Sequence, residues 1–161
     1  PMIVPLIITA AGMFFFYSKL GLTHTFTGLI LAHTALGTPF VVITVTATLT
    51  GFDTNLIKAS QSLGADIFKT FFKVIMPLIL PGVISGALFA FITSFDEVVV
   101  VLFIGSIEQI TIPKQMWAGL RQETSPVILS MASCLVLLSI ALLTTVELLR
   151  RRSERLRGIK R

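Results

Sequence analysis

The stretch "KASQSLGADIFKTFFKVIMPLILPG", Lys58 to Gly82, lies between long apolar runs and decides how the chain is read. It carries Lys58, Asp66, Lys69 and Lys73, is broken by Gly64, and passes through Pro77 and Pro81 into an apolar segment. Asp53 suits the N-cap of a short helix ending near Leu63, with Leu56, Ala59, Ser60 and Leu63 on one face. Gly64 suits the left-handed position that closes such a helix. A second helix over 65–75 places Ile67, Phe68, Phe71, Phe72 and Ile75 on a broad apolar face, with Lys69 and Lys73 opposite. Pro77 and Pro81 are expected to reset the chain direction where the next helix begins. An aromatic helix–turn–helix of this kind lies on a lipid surface or docks on a partner protein. Residue physics alone leaves both open.

The surroundings are oily. The 161 residues, one domain by length, are 54% apolar and only 13% charged, with a mean hydropathy of +0.92. Soluble domains carry about a quarter charged residues. Apolar segments run over about 2–17, 28–50, 77–105 and 125–149, and a spanning helix needs about 20 residues. The alternating "VVITVTATLT" at 41–50 hints at a strand, but an open strand cannot span lipid, so it is read as helix. The expected fold is an all-α integral membrane domain over 1–161, with about four membrane helices. Because the chain opens Pro1-Met2, an N-terminal part is expected to be missing. No signal peptide is read in 2–17, which lacks a basic start and a small-residue cleavage site.

Charge sets the orientation. Seven of the thirteen basic residues fall in the last twelve positions, 150–161, "RRRSERLRGIKR". A basic tail after an apolar helix reads as a cytoplasmic anchor, not as a nucleic-acid patch. Lys58, Lys69 and Lys73 lie two helices earlier, on the same side. The linkers 18–27 and 106–124 are poorer in lysine and arginine and are placed outside. Tyr17 and Trp117 are expected there as interfacial aromatics.

Gly82, Gly86, Ala90 and Ser94 recur every fourth residue, a small-residue stripe for close approach of another helix. Just beyond it, Asp96 and Glu97 fall within or at the end of the third apolar segment. Acids at mid-bilayer cost about 2.5–3.5 kcal/mol and are usually functional. One reading has Asp96, with Glu97 and Ser94, line a route for a cation; the other has the acids bond a helix end or hold a partner. A helix running through them would set Glu97 near the Gly86 and Ala90 face and Asp96 near Phe89 and Thr93. Trp117 is either an interfacial anchor or a contact for substrate or an external protein. Cys134 reads as a core residue. His24 and His33 lack companions for a metal site, and His33 reads as a helix-packing residue. No nucleophile–base pair, His-x-x-x-His or Gly-x-Ser-x-Gly pattern supports an intramembrane enzyme, so no catalytic residue, cofactor or metal is expected.

The opening stretch resembles the cytoplasmic EAA motif of permease subunits of binding-protein-dependent ABC importers. That motif reads Glu-Ala-Ala, three residues, Gly, nine residues, then Ile-x-Leu-Pro. Here Lys58-Ala59-Ser60 is followed at the same spacing by Gly64 and by Val74-Ile75-Met76-Pro77. The departures are Lys58 for Glu, a charge reversal, and the milder Ser60, Val74 and Met76. The resemblance implies a type I permease fold, with 53–76 as the coupling segment that fits a groove in an ATPase subunit. Lys58, Ala59, Ser60, Leu63, Gly64, Ala65, Phe68 and Pro77 would form that contact. It also implies a second, different permease subunit, a solute-binding protein outside, and a multi-pass place in a bacterial inner membrane. The chain has no GxxxxGK[ST] loop, so ATP hydrolysis would belong to the partner. Around Asp96 and Glu97, "SFDEVVVV" is similar to the spermidine/putrescine branch. A sister branch for iron, thiamine or another small solute is the alternative, and a non-transport membrane scaffold is a more distant one.

Overall fold

The computed structural model describes residues 2–122 and 126–156, with the backbone alone at 120–122, 146 and 149–156. It is all-helical among the described residues: α1 (Leu6–Lys19), α2 (Phe26–Thr50), α3 (Asn55–Ser62), α4 (Ile67–Thr70), α5 (Met76–Phe95), α6 (Val99–Ile104), α7 (Ile112–Gln122) and α8 (Pro126–Leu156). A π-turn over Phe71–Ile75 joins α4 to α5. Three stretches are long and apolar enough to cross a membrane: Phe26–Thr50, Ile67–Phe95 and Pro126–Thr145. The shorter α1 has 14 residues. Most of the basic tail belongs to residues described by backbone alone or, from 157 on, lies outside the described residues.

The threonine-rich α2 is helical because its hydroxyls are satisfied within the helix. Thr34, Thr38, Thr44, Thr48 and Thr50 each donate to the carbonyl four residues back, at 2.7–2.9 Å. That arrangement suits a medium with no water to bond. At its start Thr25 accepts from the Gly28 N–H at 3.0 Å.

The core pairing is α2 on α5, and the small-residue stripe makes it. At Gly82 an added Cβ would meet the Thr44 carbonyl oxygen at 2.9 Å and the Thr48 hydroxyl closer still. At Gly86 it would meet the Val41 Cα at 2.7 Å and the Thr44 hydroxyl. The fit is reciprocal, since Gly37 of α2 receives the Ala90 Cβ, which would lie 2.9 Å from a Cβ there. Close backbone approach of this kind is how helices associate in lipid, where burial of apolar surface gives no drive. A second cluster joins α1 to α6 through Ala10, Tyr17, Val100, Val101 and Ile104 with Leu29, Ala32 and Leu36 of α2.

Five expectations are corrected, the first being Cys134, which is exposed on α8 and is not a core residue. The third apolar segment is not one helix to Gly105: α5 ends at Phe95, the chain bends, and α6 restarts at Val99. The continued-helix placement of Asp96 and Glu97 therefore does not hold. Pro77 and Pro81 do not separate two helices, because helical residues run without a gap from Ile67 to Phe95. Pro77 sits in the first turn of α5, where the missing N–H is tolerated, and the wider π-turn just before it takes up the change in bonding. The first short helix is capped one residue later than expected, with Thr54 at the boundary and Asp53 Oδ1 accepting from the Asn55 N–H at 2.9 Å. Tyr17 is buried, because α6 packs over the end of α1.

Replacing Gly86 by alanine is expected to cost about 1–3 kcal/mol, the range for overpacking, because the neighbour it meets is backbone. Gly12, with nothing within 4 Å of an added Cβ, should accept alanine without loss. Thermal unfolding in detergent checks both, and equal midpoints for the two variants would refute the close-packing account.

Candidate functional site: a helical turn at one end and a groove at the other

The turn after α3 is a complete C-cap. The Ala65 N–H bonds the Ser60 carbonyl at 3.1 Å and the Gly64 N–H bonds the Gln61 carbonyl at 2.9 Å, the paired bonds of a Schellman motif. Gly64 has φ +82°, so the glycine is required by the backbone. Asp66 then caps α4, its Oδ1 accepting from the Lys69 N–H at 2.6 Å. Ser60 and Thr70 are both buried, and their hydroxyls share a hydrogen bond of 2.9 Å that ties α3 to α4. The motif's second alanine position is thus a polar latch in this chain.

The apolar side chains of this turn face outward. Leu63 is 88% exposed, Ile67 77% and Phe68 75%. Lys58, Ala59 and Pro77 are exposed and Ala65 is half-buried. Large apolar side chains gathered on one surface mark an interaction site. The helix that carries Ile67 and Phe68 continues without a break to Phe95.

At the other end the His24 N–H bonds the Ile104 carbonyl at 2.8 Å, which brings linker 18–27 beside the segment after α6. Between α2, α5 and residues 108–113 lies an open groove of about 970 Å³. Phe26, His33, Thr34 and Thr38 line it from α2, and Phe91, Ser94 and Phe95 from α5. Ser94 Oγ and His33 Nδ1 lie 2.9 Å apart, a polar link between the two helices where α5 ends. Glu108 and Gln109 line the groove from the segment after α6.

The other candidates lie elsewhere. Glu97 is buried, with Oε1 accepting from the Val100 N–H at 2.8 Å, so it caps the first turn of α6. Asp96 is exposed at the break, and neither acid lines the groove. Trp117 lies on α7, also outside the lining, and is 44% exposed. Sequence reasoning passed over Glu108 and assigned His33 only to packing. A lone acid in a polar linker carries no periodic signal, and the link of His33 to Ser94 joins residues 61 apart.

Residues 1–155 match the profile of the "Binding-protein-dependent transport system inner membrane component" family. The chain belongs to that family and is a multi-pass inner-membrane permease component, the non-catalytic part of such a system. Among characterised proteins it is similar to the spermidine/putrescine transport system permease protein PotC of Haemophilus influenzae, with 31% identity over 95% of this chain and 60% of that protein. It is also similar to PotC of Escherichia coli K12, at 31% over 93% and 57%. The putrescine transport system permease protein PotI of Escherichia coli K12 is 28% identical over 81% of the chain and 47% of that protein. The chain therefore spans 60% or less of the length of these curated relatives.

Glu97→Ala should destabilise the α6 start by about 1–2 kcal/mol, as loss of a cap does. Glu97→Gln should retain most of the stability, because an amide oxygen accepts the same N–H. Amide hydrogen exchange at residues 99–104 distinguishes them; equal exchange in both variants would mean that the charge, not the cap, is what matters.

Proposed function

We propose that this chain forms half of the translocation path of an ATP-driven importer and takes its power stroke through the α3–α4 turn. The observation that carries the reading is the unbroken helix from Ile67 to Phe95. It joins an exposed apolar surface at one end to the groove at the other, and its 29 residues span about 43 Å at 1.5 Å per residue. A push on Phe68 is thereby delivered beside Ser94. The exposed face of Leu63, Ile67 and Phe68, with Lys58, Ala59, Ser60, Gly64, Ala65 and Pro77, is read as the contact with an ATP-binding cassette ATPase. The Schellman turn at Gly64 supports that reading by presenting Leu63 rigidly. The lysines of this end and the basic tail support a cytoplasmic position for it and for the C-terminus.

A second permease subunit, of a different kind, would complete the path, and a solute-binding protein would deliver cargo at the outer end. Alternating access then follows by rigid-body motion of the two halves. The cargo read here is a polyamine, supported by the substrates for which the similar permeases are named and by Asp96, exposed where α5 breaks. Ser94 in the groove and Asp96 at the break are candidate path residues. Glu97 would act from behind them, and Trp117 from the outer surface.

Phe68→Asp is expected to weaken co-purification of the cognate ATPase by about tenfold or more, since burying a phenylalanine contributes about 1.5–3 kcal/mol. Undiminished binding would sink the coupling assignment. Gly64→Val should weaken it too, because a β-branched residue at positive φ is strained. For the cargo, labelled spermidine uptake is measured with ATPase and binding protein present. An assembled, ATPase-competent complex that imports none would discard the polyamine and leave the importer reading standing.

A further inference from the structure

The α2–α5 groove has one carboxylate among its described lining residues, and it is Glu108. Glu108 is exposed, and its carboxylate has no hydrogen bond or ion pair to another described residue. Its backbone is nonetheless held. The Ser106 N–H bonds Gln109 Oε1 at 2.9 Å, the Gln109 N–H bonds Ser106 Oγ at 3.2 Å, and Gln109 is buried. The nearby cation Lys114 is committed to the carbonyls of Ser106, at 2.7 Å, and Gln109, at 3.1 Å. Lys114 thus fastens the loop and forms no ion pair with Glu108 among the described residues.

The rest of the groove is mostly apolar, with His33, Thr34, Thr38 and Ser94 among its polar lining. Phe91 and Phe95 stack with ring centroids 5.6 Å apart. Across from them, the Thr34 and Thr38 hydroxyls have spent their protons on their own helix, so each presents only acceptor lone pairs. The two lie one helical turn apart, about 6 Å, a spacing that a four-carbon diamine segment reaches. Aromatic faces attract ammonium groups and pack methylenes equally well.

We propose that Glu108 is the carboxylate that receives the leading ammonium of an alkyl polyamine, whose chain then lies along Phe91 and Phe95 with its nitrogens on Thr34 and Thr38. This rests on the polyamine reading above and adds a cation contact in the groove to the candidate path residue Asp96. The carboxylate and the acceptor hydroxyls of the described lining together suit a cation.

The test uses the complete permease with its ATPase and solute-binding protein in proteoliposomes, and reads labelled spermidine uptake. Glu108→Gln should lower uptake at subsaturating substrate by about tenfold, the loss of a charge-assisted hydrogen bond, with Glu108→Asp retaining most of it. Uptake equal to the parent in an assembled Glu108→Gln complex would overturn the proposal while leaving the polyamine reading intact. A parent that imports no spermidine overturns both, a distinct result. Binding of the solute-binding protein is measured alongside; if Glu108→Gln weakens it in proportion to uptake, Glu108 acts in docking and the proposal fails. Occupancy is read with Thr34→Cys in a Cys134→Ser background. An ammonium-bearing thiol reagent should label it, and spermidine should slow labelling several-fold. No labelling in either the nucleotide-free or the trapped state would show that lipid or the second permease fills the groove, and would overturn it.

Discussion

The close approach of α2 and α5 is the constraint on which the rest depends. In lipid, apolar burial does not favour helix contact, so association relies on dispersion between closely fitted surfaces. Gly82 and Gly86 meet the α2 backbone at Thr44 and Val41, and Gly37 receives Ala90 in return. This double fit fixes both the register and the separation of the two helices. Beyond Ala90 the two helices stay joined through the Ser94–His33 hydrogen bond, beside the groove.

The break after Phe95 is the second consequence. Continuing α5 straight would carry Asp96 and Glu97 into an apolar surrounding, where an ionised acid is costly. The bend lets Glu97 turn onto the first N–H groups of α6, an arrangement favoured by charge and helix dipole together. α6 is then free to pack on α1 and to receive the His24 N–H at Ile104. The same break leaves Asp96 exposed, so two adjacent acids come to have different surroundings.

At the opposite end the chain resolves a conflict between turning sharply and remaining stiff. The turn is confined to Gly64 and closed by its own backbone bonds, while the Ser60–Thr70 hydroxyl pair holds the two short helices together. Beyond it helical residues continue through Pro77, so the surface and the membrane segment are joined by helix. Polar groups bury inward and Leu63, Ile67 and Phe68 stay outward, the reverse of what an isolated helical pair in water favours. That inversion is the physical basis for reading the surface as one awaiting a partner.

Much of this was legible from residues alone. Apolar length marked the spanning segments, and four small residues at a spacing of four marked the packing face. The need for positive φ marked Gly64, and motif spacing marked the family. These are local or periodic properties, which a sequence carries explicitly. The end of α5, the passage of helix through Pro77 and the burial of Tyr17 were not legible, because each depends on which element lies alongside. The groove was equally hidden: Thr34, Ser94 and Glu108 belong to three separate segments. What the sequence determined by itself was membrane residence, a packing face and the glycine turn. Only the tertiary structure decided which acid caps a helix and which stands free, because that choice depends on distances between residues far apart in the chain.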